Sequence, residues 1–233
     1  MRKMLGIMGA MREETEALRG EMRDAVALSA GNLQFVRGSL AGRDIVLTQC
    51  GIGKVNAAMA ATLMIERFGA EKLFFTGVAG AIDPVLDIGD IVIGTSLIEH
   101  DFDITAFGRA PGEIPGMETI GFPCDSGLVE LADVQAKKLF QDIKAVRGVI
   151  LSGDQFIASP EKIDWLKHTF GGICTEMEGA AVAHVCHLLR VPCLVLRAIS
   201  DRADGNAKTD FGAFVRTSAL RSKVLLTSLL QSL

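Results

Sequence analysis

The sequence has few of the features that mark nucleic-acid-binding or membrane proteins. It contains no run of basic residues, and its net charge is −4, so we expect no nucleic-acid partner. No apolar stretch approaches the ~20 residues that a transmembrane helix needs. The apolar segment near the N-terminus is interrupted by Arg12-Glu13-Glu14 and is too short for a signal-peptide core. These absences predict a cytoplasmic protein that does not bind membranes.

Disulfide and metal-binding patterns are also missing. The five cysteines are an odd number at irregular spacing, mostly in apolar segments, which predicts buried free thiols in a reducing compartment. The segment His184-Val-Cys186-His187 comes nearest to a zinc motif. It lies in an apolar helical stretch, and no matching ligand cluster occurs elsewhere in the sequence. We therefore expect no metal and no other cofactor.

What the sequence does contain is an alternation of apolar strands with helices. Its 233 residues, 49% of them hydrophobic, suit one large core, and we predict a single domain over 1–233. Uninterrupted apolar strands alternating with helices indicate an α/β fold, with a mostly parallel sheet covered on both faces. Strands are predicted at 4–8, 33–40, 44–50, 73–76, 91–98, 146–151 and 191–196, and helices at 54–68, 125–142, 178–189 and 211–233, with one more starting at Pro160 after a Ser159 cap.

Residues 101–123 show neither helical nor strand periodicity. The segment is rich in Gly, Pro and Phe, and such long irregular loops usually serve as lids or interface arms. We expect it to expose a set of apolar side chains, which are Phe102, Phe107, Ile114, Met117 and Phe122. Monomers rarely tolerate an apolar patch of this kind, so the segment predicts a C2 homodimer.

Three segments place carboxylates near the ends of strands. They are Arg197-Ala-Ile-Ser-Asp201, Thr175-Glu-Met-Glu178 and Gly6-Ile-Met-Gly-Ala-Met-Arg-Glu-Glu14. Ligands of open α/β sheets bind at the carboxyl ends of strands. Together the three segments predict acid–base chemistry on a neutral organic substrate.

Each of these acids has a structural alternative. Asp201 could cap a following turn. Glu14, or equally Glu13, could complement the N-terminus of a helix. Glu176 and Glu178 could each be solvated or paired with Arg197, and for Glu176 we favour the ion pair.

Two glycine-rich segments do not match nucleotide-binding motifs. The segment Gly51-Ile-Gly-Lys-Val55 resembles a phosphate loop, but Thr48 and Val55 stand where that motif requires Gly and Ser or Thr. Read as a dinucleotide fingerprint, it has Asn56 in place of the third Gly. The segment Gly77-Val-Ala-Gly80, predicted as a loop after a strand, either lets the backbone approach a ligand or makes a tight turn.

Seven motifs in this order resemble those of bacterial 5′-methylthioadenosine/S-adenosylhomocysteine nucleosidases, over essentially the whole chain. The resemblance implies a nucleoside phosphorylase-type fold in three layers, with a central mixed β-sheet flanked by helices. It also implies a homodimer and adenine nucleosides as substrates. The motifs are Gly6-Ile-Met-Gly-Ala-Met-Arg-Glu-Glu14, Gly51-Ile-Gly-Lys-Val55, Thr76-Gly-Val-Ala-Gly80, Asp103-Ile-Thr-Ala-Phe-Gly108, Ser152-Gly-Asp-Gln-Phe-Ile157, Glu176-Met-Glu178 and Arg197-Ala-Ile-Ser-Asp201.

The chemistry that this resemblance implies gives each acid a role. Hydrolysis of the N-glycosidic bond passes through a cation-like ribosyl transition state, and adenine leaves more easily once its N7 is protonated. The resemblance makes Asp201 the general acid, a role that requires a raised pKa, and Glu14 the base that activates water. Glu178 is expected to accept hydrogen bonds from the ribose hydroxyls.

The resemblance also implies the residues that contact the substrate. Phe156 is expected to pack on adenine, the Ile157 backbone to bond its edge, Gly80 to bring the backbone close to the base, and Met177 to lie against the ribose. Apolar walls are expected from Met11, Ile52 and Phe211. Phe107 and Pro115 are expected to reach the 5′-alkylthio group in the neighbouring subunit. For these apolar residues, plain core packing is the alternative.

Two other functions are weighed against the hydrolase. A purine nucleoside phosphorylase needs groups that bind phosphate, yet Phe75 and Val78 occupy positions where such relatives often carry Arg and Ser, and Glu14 would repel the dianion. Val78 also stands where some nucleosidases carry Ser, so a hydroxyl contact from that position is absent. A non-catalytic nucleoside-binding module would not need all three acids. The preference among methylthioadenosine, S-adenosylhomocysteine, 5′-deoxyadenosine and aminodeoxyfutalosine stays open.

Overall fold

A computed structural model describes residues 4–202 and 207–233, with the side chains of 4–202 and 211–233. Strands alternate with helices along most of the chain, as the sequence predicts. In chain order, the elements are β1 (Met4–Gly9), α1 (Arg12–Glu21), β2 (Arg23–Ala30), β3 (Leu33–Leu40), β4 (Arg43–Gln49), α2 (Lys54–Glu66), β5 (Ala70–Ala81), β6 (Ile91–Glu99), β7 (Phe122–Pro123), α3 (Ser126–Leu139), β8 (Ala145–Ser152), α4 (Pro160–Phe170), β9 (Cys174–Glu176), α5 (Gly179–Leu189), β10 (Cys193–Asp201) and α6 (Ala207–Ser232).

The strands form one mixed sheet flanked by helices, which confirms the predicted fold class. The expectation of a mostly parallel sheet is wrong, because five of the strand pairings among the described residues are parallel and five are antiparallel. β10 pairs in parallel with β5 and antiparallel with β6. β6 continues through β8 and β9 back to β5, so these five strands close into a ring. From β5 the sheet continues outside the ring through β1, β4 and β3 to β2, which forms its open edge. The closed part brings the carboxyl ends of β5, β8 and β10 to one side of the molecule, beside β9.

The central strands are buried because most of their residues are apolar or small. All residues of β1 and β10 are buried, and α6 covers β10 and β5 with Leu225, Leu226, Leu229 and Leu230, all fully buried. The predicted caps are present, since Asp125 accepts from the Leu128 N–H and Ser159 accepts from the Lys162 N–H. The prediction of free, buried thiols is confirmed for Cys50, Cys124, Cys174, Cys186 and Cys193.

Several elements differ from the sequence prediction, because α1, β2, β7 and β9 were not among the predicted helices and strands. β5 runs on to Ala81, so the segment predicted as a glycine loop is strand. It stays extended because Gly80 pairs with Asp201 of β10 on one side and with Thr175 of β9 on the other. β2 is an edge strand whose one partner among the described residues is β3, and its residues are mostly exposed.

We call residues 101–123 the arm. It is irregular as predicted, apart from a 3₁₀ turn at Thr105–Phe107 and the short β7. The expectation of five exposed apolar side chains is wrong in part. Phe122 is fully buried and stacks on His184 at 4.2 Å, and Ile114 and Met117 pack partly against the main core. Phe102 is partly buried, so of the five only Phe107 is exposed, with 85% of its surface accessible.

Among the described helices, none combines the length and the apolar character needed to cross a bilayer.

Candidate active site

One cavity opens at the carboxyl ends of the ring strands. It is lined by every residue that the sequence analysis assigned to the site except Phe107 and Pro115. Those two residues lie in the arm and are exposed. The predicted residues that line the cavity are Met11, Glu14, Ile52, Gly80, Phe156, Ile157, Met177, Glu178, Asp201 and Phe211.

Asp201 is the last residue of β10 and is 3% exposed. The hydroxyl of the preceding residue, Ser200, donates to Asp201 Oδ2 at 2.9 Å. A hydroxyl therefore contacts this acid from the neighbouring position on its own strand, although Val78 supplies none. The alternative of a turn cap concerns residues 203–206, which lie outside the described residues.

Glu14 lies in the first turn of α1 and is buried. Its Oε2 accepts from the backbone N–H groups of Ala10 at 2.6 Å and Met11 at 2.9 Å, and its Oε1 accepts from the Val78 N–H at 3.1 Å. Burial raises the pKa of Glu14, while the charge of Arg197 and these three N–H donors oppose the shift. The neighbouring Glu13, an equal candidate by sequence, does not line the cavity.

Glu178 directly precedes α5, and its Oε1 accepts from the Gly53 N–H at 2.8 Å. Burial, followed by the charge of Glu176, raises the pKa of Glu178 to about 8 in this pocket, against the opposing effects of the Gly53 N–H and Arg197. The glycine segment that failed both nucleotide-binding patterns thus has a structural use here, because it presents a backbone donor to a site carboxylate.

Glu176 and Arg197 form the ion pair that the sequence analysis favoured. Arg197 is fully buried and donates from Nε and Nη2 to Glu176 Oε2. The carboxylate also accepts from the hydroxyl of Ser152 and from the Gly179 N–H. The guanidinium lies 4.1 Å from the Phe75 ring centroid. Because Glu176 is occupied by these contacts, it serves as a structural anchor beneath the cavity.

Aromatic side chains form the outer wall of the cavity. Phe156 and Phe211 meet edge to face at 6.1 Å between ring centroids, and Phe156 remains half exposed. This pair leaves a flat apolar face beside the carboxylates, which suits a planar base.

Sequence reasoning assigned no site role to several residues that line the cavity. Ala10, Ala79, Gln155 and Ser200 each lie next to a predicted site residue within a recognised motif, which is the signal that could have found them. Val78 and Thr175 have neutral side chains and no such neighbour, so only the fold identifies them. This set consists of Ala10, Val78, Ala79, Gln155, Thr175 and Ser200.

The residues of the segment 184–187, considered above as a zinc motif, make other contacts. His184 Nδ1 lies 2.9 Å from Glu99 Oε1, and Cys186 is a buried thiol. Within the described part of the chain, no three His, Cys, Asp or Glu side chains gather as metal ligands would.

A closed mixed sheet with buried acids around an apolar slot defines the class of nucleoside-cleaving enzymes. The model of the phosphorylase superfamily matches residues 4–231. A 5′-methylthioadenosine/S-adenosylhomocysteine nucleosidase of Anoxybacillus flavithermus is 39% identical over 98% of both chains. The chain therefore belongs to the 5′-methylthioadenosine/S-adenosylhomocysteine nucleosidase family within that superfamily.

Solved structures agree with this assignment. The nucleosidase of Neisseria meningitidis, in complex with methylthio-immucillin-A, superposes with a TM-score of 0.95 at 39% identity, covering 99% of this chain and 100% of the other. A futalosine hydrolase of Helicobacter pylori also superposes with a TM-score of 0.95, at 38% identity over 99% of this chain and 98% of the other.

Proposed function

We propose that this protein hydrolyses the N-glycosidic bonds of 5′-methylthioadenosine and S-adenosylhomocysteine, releasing adenine and the 5-thio-substituted ribose. The observation that carries this proposal is the charge of the cavity. Among the described residues, its lining includes four carboxylic acids and no Lys, Arg or His; the acids are Glu14, Glu176, Glu178 and Asp201. Such a lining suits a neutral substrate that develops positive charge on its ribose in the transition state.

Asp201 is proposed as the general acid and Glu14 as the base. Asp201 protonates N7 of adenine, so that the base leaves as a neutral molecule. Glu14 accepts a proton from the attacking water on the opposite face of the ribose. Its three backbone donors hold the carboxylate in one orientation, and burial strengthens it as a base by raising its pKa. This division of labour between two carboxylates is that of an inverting glycosidase.

Glu178 is proposed to accept hydrogen bonds from the ribose hydroxyls. In its ionised form, Glu178 places negative charge near the developing cation in the same cavity. Phe156 is proposed to pack on adenine, with the Ile157 backbone on its edge and Gly80 beneath the base. Met177 then lies against the ribose, and Met11, Ile52 and Phe211 supply the apolar walls that line the cavity.

Water is the favoured nucleophile over phosphate. The nearest buried cation, Arg197, already binds Glu176 and two backbone carbonyls. A phosphate dianion in this cavity would therefore meet Glu14 without a compensating side-chain cation.

A second candidate substrate is supported by one comparison. The futalosine hydrolase of Helicobacter pylori resembles this chain as closely as the nucleosidase of Neisseria meningitidis does. Aminodeoxyfutalosine has the same adenosyl part and differs at the 5′ side. Relative kcat/KM values for this compound, methylthioadenosine, S-adenosylhomocysteine and 5′-deoxyadenosine would rank the candidates.

We also propose a homodimer in which the arm completes the partner's site. Phe107 is 85% exposed, although an aromatic side chain is costly to leave in water. The outer face of α2, which begins next to the cavity wall at Ile52, exposes Val55 and Met59. A two-fold interface would bury both surfaces and would bring Phe107 and Pro115 to the partner's 5′ pocket. With five free thiols, a single-domain enzyme of this kind suits the reducing cytoplasm.

The assigned roles are tested by two substitutions with a matched control. Asp201→Asn keeps the shape but loses the acidic proton. Glu14→Gln keeps the size of the side chain, but its one acceptor oxygen can retain at most two of the three backbone contacts, and its amide cannot take a proton from water. Each is expected to lower kcat for adenine release by at least ~10²-fold, while adenosine-type ligands still bind to the Glu14→Gln variant. Glu13→Gln, one residue away and outside the cavity, is expected to retain activity. Near-normal turnover of either site variant removes that residue from its role.

A further inference from the structure

The N-terminus of α2 is capped by carboxylates from distant parts of the chain. The residue before the helix, Gly53, has φ +100° and no side chain that could cap it. Its N–H donates to Glu178 Oε1 at 2.8 Å, and the N–H of Lys54 donates to Asp154 Oδ1 at 2.8 Å. Free N–H groups at a helix N-terminus favour such acceptors, and the helix dipole favours their negative charge. The same helix end thus binds one site carboxylate and one carboxylate with no assigned role.

Asp154 is itself held in place by a second acid. Its backbone N–H donates to Asp101 Oδ2 at 2.9 Å, and Asp101 Oδ1 accepts from Lys54 Nζ at 2.6 Å. Lys54 Nζ also lies 3.1 Å from Glu99 Oε2. The side chains of Lys54 and Asp101 are only 17% and 15% exposed, so solvent screens their ion pair weakly, whereas Asp154 itself is exposed.

These contacts join two segments that line different parts of the cavity. The segment 51–54 supplies Ile52 and the N–H that meets Glu178. The segment 153–157 supplies Phe156 and Ile157, which also line the cavity. We propose that Asp154 is a positioning residue, which ties the N-terminus of α2 to the adenine side of the site so that the Gly53 N–H meets Glu178.

This inference rests on the proposed role of Glu178 as the acceptor of the ribose hydroxyls. If the N-terminus of α2 moves away from the site, Glu178 loses the Gly53 N–H donor, and the protonated carboxyl is favoured at a given pH. The other groups that face Glu178 are Glu14, Cys50, Glu176 and Arg197. A substitution at Asp154 changes none of them.

The first test compares two neutral variants, Asp154→Ala and Asp154→Asn. Both lose the negative charge, so its direct effect on Glu178 cancels, but only Asn keeps an oxygen that can accept from the Lys54 N–H. We expect kcat/KM for methylthioadenosine to be about ten- to a hundredfold lower in Asp154→Ala than in Asp154→Asn. The acidic limb of its pH profile, which reports ionisation of the free enzyme, should lie at higher pH in Asp154→Ala.

The second test removes the donor instead of the acceptor. Lys54→Pro and Lys54→Met both lose the ammonium group, but only Pro lacks the backbone N–H. Pro is tolerated at the first position of a helix, so the helix itself should form in both variants. We expect Lys54→Pro to show the same loss and the same shift of the acidic limb relative to Lys54→Met. If Asp154→Ala fails to fold, this pair of Lys54 variants alone tests the positioning role of Asp154.

The outcomes separate this inference from the proposed function. Asp164→Ala, an exposed residue of α4 outside the network, is the control expected to match the wild type. Equal kcat/KM values and equal acidic limbs within both pairs would overturn the positioning role while leaving the hydrolase intact. A wild-type enzyme that releases no adenine would instead overturn the proposed function itself.

Discussion

At the scale of the residue, burial of the site's carboxylic acids, two of which are proposed to act on the substrate, lowers the stability of the folded protein. Glu14, Glu176 and Glu178 are all buried, and Arg197 is the buried cation that they share. Removing carboxylates from water disfavours their charged forms unless donors and cations compensate. Glu176 has such compensation through Arg197, whereas Glu178 accepts a single backbone N–H from Gly53. Ionisation of Glu178 therefore disfavours the folded state without substrate.

This imbalance predicts how stability varies with pH. The pKa of Glu178 is raised to about 8 in the fold, so the native state prefers the protonated form. The stability associated with that proton is present below the ordinary pKa of a glutamic acid and is lost as pH rises through about 8. We expect Glu178→Gln, which resembles the protonated acid, to melt close to the wild type at pH 5 and above it at pH 9, while losing activity.

Thermal denaturation of both proteins without ligand across this pH range provides the measurement. A difference in Tm that stays constant with pH, or a wild type that is the more stable protein at pH 9, would contradict the charge balance described for the site.

At the scale of the element, apolar strands made much of the fold predictable. β1 and β10 were found because continuous apolar runs identify strands buried on both faces, and the acids that follow them mark the site. The contacts that orient those acids could not be predicted, because Val78 and Glu14 are 64 residues apart, and Gly53 and Glu178 are 125 residues apart. Local sequence carries no signal for such pairs, which depend on how the strands are ordered in the sheet.

Strand β5 has a glycine, Gly77, at a position where a larger residue would collide with the proposed base. A Cβ atom added at Gly77 would lie 2.6 Å from Glu14 Oε1 and 3.2 Å from Arg197 Nη1. Gly77→Ala is therefore expected to displace the proposed base and to lower kcat by about a hundredfold. Gly20→Ala, in α1, is the matched control because a Cβ there meets nothing within 4 Å, and Ala favours a helix over Gly.

Steady-state kinetics and thermal melting of the two variants check this expectation. Gly20→Ala should retain activity and melt at or above the wild-type temperature. A Gly77→Ala enzyme with wild-type kcat would show that the close approach of β5 to Glu14 has no catalytic consequence.

At the scale of the whole molecule, the exposed apolar side chains predict a shared active site. We expect Phe107→Ala to raise KM for methylthioadenosine more than for 5′-deoxyadenosine, because it removes apolar contact only at the 5′ end. Leu220→Ala, an exposed apolar residue of α6 that does not line the cavity, should leave both KM values unchanged. Sedimentation that finds a fully active monomer, or equal changes in KM for the two substrates, would exclude this assembly.

The central claim is that a cavity lined by carboxylic acids, without a cationic side chain to bind phosphate, makes water the nucleophile. The most direct measurement is product analysis of methylthioadenosine turnover with and without millimolar phosphate. The account predicts adenine and free methylthioribose in both cases, at the same rate, because no Lys, Arg or His among the described residues lines the cavity. Methylthioribose 1-phosphate as the main product, or a rate that rises with phosphate, would contradict it.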